Sequence, residues 1–298
     1  MYKGIALSIA SSCMFAGLYY YSTLLAPLDG EEIFGWRMLL SLPCLTVFLL
    51  LGREWKNVRA IFVSIRHTPW LVPALCCSSA LLGVQQWLFM WAPLNGKGLQ
   101  VSLGYFLLPL TMLVVGRVFY RERLSSLQKA AGISAALGVA HELYHVGGFS
   151  WEALLVALGF PLYFILRRRL NTAHLGGLWF DMLFTLPVAL WFMAGQHPAE
   201  SSSTYTPQLY FMLFLLAVIT AAAFMTYTVA SRLLPFSLFG LLGYVEPILM
   251  VVVALIIGEQ IHRDEWLTFI PIWLAVGLLA LEGIGHLRIS VRTTKKVT

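Results

Sequence analysis

Ten apolar segments, most of them 17 to 24 residues long, make up most of this 298-residue chain. A helix rises 1.5 Å per residue, so such a segment can cross a hydrocarbon core of about 30 Å. Only 11% of the residues are charged, whereas a soluble domain carries about 25%. The sequence therefore predicts an all-α polytopic membrane protein with ten transmembrane helices, near residues 4–25, 32–51, 70–92, 98–116, 126–143, 150–166, 175–195, 208–231, 236–258 and 266–286.

The basic residues are unevenly distributed over the connections between these spans. With the N-terminus in the cytoplasm, the connections on that side hold 17 of the 20 Lys and Arg residues, among them the run 167–169. The opposite connections hold Lys97 and Arg263. The positive-inside rule then predicts that both termini are cytoplasmic. The net charge of +6 is thereby attributed to topology and to anionic inner-leaflet lipid, so no nucleic-acid partner is expected.

The two halves of the sequence resemble each other. Residues 36–43 (WRMLLSLP) and 180–187 (FDMLFTLP) repeat Met, Leu and Pro at an offset of 144 residues. Residues 104–122 and 243–259 both begin with Gly-Tyr, contain a proline and end with glutamate. These matches predict two repeats of five spans, residues 1–145 and 146–298. Because five is odd, the second repeat enters the membrane from the opposite side, and such inverted repeats bind a substrate near the midplane between them.

Two prolines occupy corresponding places in the two repeats. Pro109 lies in span four and Pro247 in span nine. A proline inside a helix removes one backbone hydrogen bond, which is tolerated in a membrane where protein or a watery cavity covers the break. The pair predicts helix interruptions beside a transport site. Simple helix kinks are the alternative interpretation.

Of the charged residues within the spans, three lie away from the span ends, and a charge costs roughly 2.5–3.5 kcal/mol at a helix centre. Arg37 in span two either lines a cavity or snorkels to the outer interface. Asp181 holds the equivalent position of span seven, and for it an ordinary interfacial anchor competes with a role in transport. Glu246, beside Pro247 near the middle of span nine, is predicted to bind a proton or a cationic group.

Other polar or aromatic side chains within the spans can line a cavity for a small amphipathic solute. Packing and interfacial aromatic belts are the alternative for each of them. The candidates of this kind are Gln86, Trp87, Tyr105, Tyr163, Tyr227 and Tyr244.

Residues 141–145 read HELYH and fit the zinc motif H-E-x-x-H, in which two histidines bind the metal and the glutamate acts as a general base. A catalytic zinc site needs a third protein ligand and an open position for water. No third ligand is evident near the outer end of span five. The five residues are therefore interpreted as an interfacial polar cluster, and neither a metal nor a cofactor is predicted. An intramembrane zinc metalloprotease using His141, Glu142 and His145 remains an alternative, as does a channel or lipid scramblase.

Four stretches carry a family resemblance: EEIFGWRMLLSLP, QQWLFMWA, SLGYFLLPLTMLVVGRVFYRERL and GYVEPILMVVVALIIGEQ. Over essentially its whole length the chain resembles the drug/metabolite transporter superfamily, its EamA-type exporters and, among them, the RarD-like branch. The resemblance implies ten helices in two inverted halves around a central cavity. It also implies export of amino acids, related metabolites or drug-like molecules across a bacterial inner membrane.

The resemblance also bears on individual residues. Arg37, Trp87, Tyr105 and Pro109 fall on the matching stretches. Gln100 stands where relatives often carry Glu, and Glu246 stands where they tend to have a small or uncharged residue. The polar chemistry of the cavity is therefore expected to differ from that of relatives, and Gln100 joins the candidate substrate-binding residues.

Together these observations predict an inner-membrane secondary transporter, not an enzyme, that exports a small metabolite by alternating access. The expected substrate is an amino acid or an amino-acid-derived compound, a class that includes zwitterionic metal chelators and drug-like molecules. Arg37 would attract a carboxylate near the outer mouth, and Glu246 would bind an amino group or a coupling proton. The expected partners are this solute, the lipid bilayer and protons, and the oligomeric state is left open.

Overall fold

A computed structural model describes residues 2–119, 125–145, 150–195, 206–234 and 242–294. Within these ranges the chain is all-helical, which confirms the predicted fold class at that level. One short 3-10 helix, Arg263–Glu265, accompanies eleven α-helices, ten of which overlap the predicted spans. The α-helices are α1 (Tyr2–Ser22), α2 (Gly30–Leu51), α3 (Trp55–His67), α4 (Leu71–Leu94), α5 (Gly98–Phe119), α6 (Ser126–His145), α7 (Trp151–Arg169), α8 (Leu175–Gly195), α9 (Pro207–Leu233), α10 (Val245–Ile256) and α11 (Trp266–Thr294).

Several of these helices are suited to a bilayer. By length and composition, five helices of the described ranges can cross a membrane: Lys3–Ser22, Gly30–Leu51, Leu71–Leu94, Leu175–Met193 and Pro207–Ala230. Gly98–Met112 and Val245–Ile256 are shorter apolar helical stretches. The protein is thus a polytopic membrane protein, and the count of ten spans in two inverted repeats stays a prediction.

The helix α3 was not predicted, because it lies in the basic connection between spans two and three. Its Val58 and Ile61 are buried, while Lys56 and Arg59 are exposed. The buried side packs on α8, where Trp55 meets the ring of Trp179 with centroids 5.5 Å apart. Apolar residues recur at helical spacing in this stretch, but it is too short and too charged to register as a span.

The predicted interruptions at the two prolines are not found as expected. The helix α5 continues as an α-helix through residue 109, whose side chain lies outside the described residues. Residues 243 and 244 form a turn, and α10 begins at Val245, so Pro247 lies in its first turn rather than mid-helix. A proline there removes no intrahelical hydrogen bond. Glu246 is likewise in the first turn of α10 and not in the middle of a long span.

The chain divides into two compact units, each of which takes segments from both halves of the sequence. The first unit comprises Met1–Cys13, Gly98–Pro161 and Val229–Thr298, and the second comprises Met14–Lys97 and Leu162–Thr228. The helices α1, α7 and α9 therefore each pass from one unit into the other. The repeat boundary between residues 145 and 146 is not tested by this division and stays a prediction.

In the first unit, α5, α6, α10 and α11 share an apolar cluster that includes Leu103, Phe106, Ala131, Ala135 and Ile272. Small residues let α6 approach α11 closely, because a Cβ on Gly138 would lie 2.7 Å from the carbonyl oxygen of Thr268. The start of α5 is capped by Glu259, whose two carboxylate oxygens accept from the backbone N–H groups of Gly98 at 2.7 Å and Leu99 at 2.8 Å.

In the second unit, α2 packs along α8, and α4 packs against both. The helix α2 begins with a capping box in which Oδ1 of Asp29 accepts from the backbone N–H of Glu32 at 2.8 Å. At Gly83 a Cβ would lie 3.2 Å from the Thr185 side chain, so α4 and α8 touch at this level. This close packing positions the polar residues described next.

Candidate functional site

A buried polar cluster surrounds Asp181, which is 0% exposed on α8. Its Oδ1 accepts from the hydroxyls of Ser78 at 2.8 Å and Ser79 at 3.4 Å, both on α4. Its Oδ2 accepts from the hydroxyl of Tyr163 at 2.9 Å and from Nη1 of Arg167, both on α7. Removing a carboxylate from water costs several kcal/mol unless it is paired and hydrogen-bonded in this way. The carboxylate is therefore stabilised by four donors from two neighbouring helices.

The guanidinium of Arg167 organises the turn between α7 and α8. Its Nη2 donates to the carbonyl oxygen of His174 at 2.9 Å, and its Cζ lies 5.4 Å from the ring centroid of Tyr163. A Cβ on Gly177 would lie 2.6 Å from Nη2 and 2.2 Å from the carbonyl oxygen of Thr172. The glycine thus leaves the space that the guanidinium and the turn occupy.

The structure corrects two expectations at this cluster. Asp181 is not an interfacial anchor, because its side chain is buried and ion-paired. The charge count places Arg167 with the cytoplasmic arginines, yet it is buried, while Arg168 and Arg169 are exposed. Hydropathy could not separate the three, since they form one run at the end of a span. The sequence signal for this pair was its spacing: Arg167 and Asp181 lie 14 residues apart, on either side of a short connection between two spans.

Asp181 also lines a narrow cleft between α2, α4, α8 and α9. The cleft is tightly packed and leaves no space wide enough for a water molecule. Gln86 of α4 lines the same cleft and is 9% exposed, and its Oε1 is buried without a hydrogen-bond partner in the described part of the chain. Of the predicted residues, the structure thus brings Gln86 and Tyr163 to Asp181. The other lining residues are Met38, Leu82, Gly83, Met182, Thr185 and Phe224.

A second buried charge, Arg37 on α2, is 1% exposed. Its Nε donates to the hydroxyl of Thr220 on α9 at 3.0 Å, and its Cζ lies 5.4 Å from the ring centroid of Phe89 on α4. The Phe89 ring in turn meets Tyr19 edge-on, with centroids 5.0 Å apart. The side chain is therefore held among helices, and the snorkelling interpretation is wrong.

Arg37 and Asp181 are 144 residues apart, which is the offset of the sequence repeat. Each lies on the second predicted span of its half and bonds a hydroxyl on the third span of the other half. For Arg37 the partner is Thr220, and for Asp181 it is the serine pair of α4. A tyrosine from the first span accompanies each charge, and Tyr19 and Tyr163 show the same offset. Opposite charges thus occupy positions related by the repeat offset.

Two further candidates of the second unit are not among the residues that line the cleft. Nε1 of Trp87 donates to a carboxylate oxygen of Glu31 at 3.2 Å, and its ring lies 5.6 Å from that of Trp91. Tyr227 is exposed, and its ring centroid lies 6.4 Å from that of Phe15. The structure thus places both side chains at helix surfaces, where their rings contact other aromatic rings.

The remaining candidates belong to the first unit. Gln100 is half-buried on α5, and its Oε1 has no hydrogen-bond partner among the described residues. Tyr105 is also half-buried, with its ring 5.6 Å from that of Phe160. Tyr244 is buried in the apolar cluster of this unit. Glu246 is half-buried in the first turn of α10, where the positive end of the helix dipole stabilises a carboxylate.

Of the HELYH side chains, the structure describes that of His141 in contact with the neighbouring helix α11. Nδ1 of His141 lies 3.2 Å from the hydroxyl oxygen of Thr268. The side chains of Glu142 and His145 lie outside the described residues. Among the described ones, no group of three or more His, Cys, Asp or Glu side chains could hold a metal ion.

Several apolar helices able to cross a bilayer define a polytopic membrane protein, and buried charges within such helices are typical of transporters. The sequence profile of the EamA-like transporter family matches residues 2–141. An uncharacterized transporter of Pasteurella multocida is 42% identical over 97% of this chain and 99% of its own. The chain belongs to the EamA-like transporter family.

Other relatives agree with this assignment. The chloramphenicol-sensitive protein RarD of Pseudomonas aeruginosa is 42% identical over 97% of each chain, and protein RarD of Escherichia coli is 28% identical over 98% of each. A crystal structure of a protein 15% identical in sequence shares the fold, with a TM-score of 0.57 over 94% of this chain and 98% of the other. The predicted resemblance is confirmed: the protein is a membrane transporter and not an enzyme, which sets the zinc-protease alternative aside.

Proposed function

We propose that the protein is a secondary transporter of the bacterial inner membrane that exports an amino acid or an amino-acid-derived metabolite by alternating access. The observation that carries this proposal is the burial of opposite charges, Arg37 and Asp181, at equivalent positions of the two sequence halves. Charges within membrane helices are expensive and are retained where they serve transport. Buried charges of both signs at these equivalent positions suit a zwitterionic solute.

The proposal includes ten spans in two inverted repeats, residues 1–145 and 146–298, with both termini cytoplasmic. Contacts within each unit support this topology, because they join connections that it assigns to one face. The predicted outer connections meet where Glu259 caps the helix starting at Gly98. The predicted inner connections meet where Gly176 lies against the backbone of Asn57. The Lys and Arg count then assigns the cytoplasmic side.

Individual roles follow from chemistry. Arg37 attracts the carboxylate of the solute, since a guanidinium presents a planar set of donors that matches carboxylate geometry. Glu246 binds an amino group or a coupling proton, with proton coupling as the energy source. The remaining candidates stay predicted substrate-binding residues: Gln86, Trp87, Gln100, Tyr105, Pro109, Tyr163, Tyr227 and Tyr244.

The substrate is tested by comparing metabolites in the medium of cells with and without the protein, followed by efflux of the identified solute from vesicles. Export is expected to be lost in Arg37→Ala at normal membrane abundance. The matched control is Arg169→Ala, which removes an exposed arginine and is expected to export normally. Full export by Arg37→Ala contradicts the assigned role. Saturation of the flux with solute concentration separates a carrier from a channel or a lipid scramblase.

The topology is tested separately by reporter fusions to the two ends of the chain. Both reporters are expected to be active on the cytoplasmic face. Reporters on different faces would contradict an even number of spans and with it the two five-span repeats.

A further inference from the structure

Gln86 carries a buried acceptor that lacks a donor. Its Oε1 is buried, its side chain is 9% exposed, and no described group donates a hydrogen bond to this oxygen. A buried acceptor without a partner is unfavourable, so it is found where something else supplies the donor. Because Gln86 lines the cleft between α2, α4, α8 and α9, a donor that enters the cleft can satisfy this oxygen.

The cleft is lined by a second acceptor, whose protein cation Arg167 is not among the described lining residues. Asp181 lines it, and none of the eight described lining residues is basic. On α4, Gln86 lies seven residues after Ser79, which bonds Asp181, so the two face the same side of the helix. An amide oxygen and a carboxylate therefore flank one space. Both groups accept hydrogen bonds, and both are satisfied by N–H donors that carry positive charge.

We infer that this cleft is a binding subsite for the cationic nitrogen group of the transported solute, a protonated amine or a guanidinium. The inference rests on the proposed function, which it deepens by assigning the positive end of the solute to Gln86 and Asp181. Glu246 then serves as the proton site, and Arg37 keeps the carboxylate.

In the absence of solute, the guanidinium of Arg167 occupies the position on the Asp181 carboxylate that the solute cation would take. Asp181 has about four lone-pair sites, and four protein donors already occupy them. A solute cation therefore binds by replacing the Nη1 donor of Arg167, whose Nη2 stays bonded to the carbonyl oxygen of His174. Asp181 keeps one cationic partner throughout this exchange, and the displaced guanidinium of Arg167 keeps its charge. No proton transfer is required.

The side chains that line the cleft indicate the character of the solute group that carries the nitrogen. Met38, Leu82, Met182 and Phe224 are apolar, so the group that carries the nitrogen is apolar or aromatic. Methionine side chains have three rotatable bonds and adapt to irregular shapes. Because the present gaps are narrower than a water molecule, binding requires these side chains to move apart.

The test uses the purified full-length protein in lipid nanodiscs and measures binding of three probes by calorimetry. Phenethylammonium carries the cation alone, 3-phenylpropanoate carries the anion alone, and phenylalanine carries both. The wild type is expected to bind phenethylammonium. Gln86→Leu, which removes the acceptor at similar volume, is expected to weaken that binding about ten-fold or more, since hydrogen bonds to charged groups are the stronger ones. Gln86→Glu, which keeps an acceptor, is expected to retain it.

The matched control is Gln208→Leu, which makes the same change at an exposed position of α9 and is expected to leave binding unchanged. Binding of 3-phenylpropanoate is expected to be insensitive to Gln86→Leu. An equal loss of both probes would mean a general effect on folding and would overturn the inference. So would equal affinity of Gln86→Leu and wild type for phenethylammonium, or no binding of that probe by the wild type.

Failure of this inference is distinguishable from failure of the proposed function. Amino-acid export from cells by the wild type and its loss in Arg37→Ala bear on the proposed function alone. Intact export together with unchanged phenethylammonium binding in Gln86→Leu would reject the subsite and leave the proposed export in place.

Discussion

The guanidinium of Arg167 and the carboxylate of Asp181 form an ion pair in which both side chains are buried. The two residues lie 14 positions apart on α7 and α8, on either side of the turn that joins these helices. The pair therefore links the two helices of this helical hairpin through their buried sides. Breaking such a pair by removing one partner costs about 3–5 kcal/mol, because the other charge stays buried and uncompensated.

The first prediction concerns this pair. Arg167→Gln is expected to lower the free energy of unfolding by about 3–5 kcal/mol, measured by denaturation in detergent micelles. Arg169→Gln, two residues on and exposed, is the control and is expected to have little effect. The double change Arg167→Met with Asp181→Leu removes both charges and is expected to recover most of the loss. A single variant as stable as the control would show that the pair contributes nothing.

The second prediction concerns the acceptor of Arg37. Thr220→Val keeps the shape of the side chain but removes the oxygen to which Nε of Arg37 donates at 3.0 Å. We expect a loss of about 1–3 kcal/mol in unfolding free energy and slower export. Thr226→Val is a matched control on the same helix, since the Thr226 hydroxyl bonds the carbonyl oxygen of Ala222 within α9. Equal export rates in the two variants would contradict a specific role for Thr220.

The third prediction concerns space at the turn between α7 and α8. Gly177→Ala would place a methyl group 2.2 Å from the carbonyl oxygen of Thr172, so the turn must shift and the protein is expected to be less stable. Gly17→Ala is the control, because a Cβ there meets nothing within 4 Å. Alanine is favoured over glycine in a helix by about 1 kcal/mol, so this variant is expected to be as stable as the wild type or more so. Thermal unfolding of both variants side by side measures the difference.

The fourth prediction concerns coupling. Glu246→Gln removes a titratable carboxyl from the first turn of α10 and is expected to abolish the proton dependence of transport. The measurement is efflux from vesicles at a series of pH values. Gln100→Glu is the companion variant, made in the Glu246→Gln background. It adds a carboxyl on α5 and is not expected to restore the proton dependence of transport. Unchanged pH dependence in Glu246→Gln would reject the assignment.

Much of the fold could be predicted because apolar length and helical rise determine where spans begin and end. The predicted span 175–195 coincides with α8, and the span 32–51 differs from α2 by two residues at its start. The prediction failed at α3, because a short amphipathic helix does not reach the length of a span. It also placed Pro247 mid-helix, since an apolar run does not reveal the turn at residues 243 and 244.

The site was harder to predict from the sequence, because its contacts join residues that are far apart in the chain. Arg37 and Thr220 are 183 residues apart, and Ser78 and Asp181 are 103 apart. Composition and periodicity describe one helix at a time and carry no information on which helices adjoin. The repeat offset did identify Arg37 and Asp181 as equivalent, but it could not show that Asp181 is paired with Arg167.

The helix α3 has a consequence for how α8 can move. Its buried residues Val58 and Ile61 and the ring of Trp55 lie on α8, while its basic residues Lys56 and Arg59 point away. A basic amphipathic helix of this kind rests among phospholipid headgroups. We therefore expect any rotation of α8 during transport to move this helix among the headgroups, so that the turnover rate depends on the anionic lipid content of the bilayer.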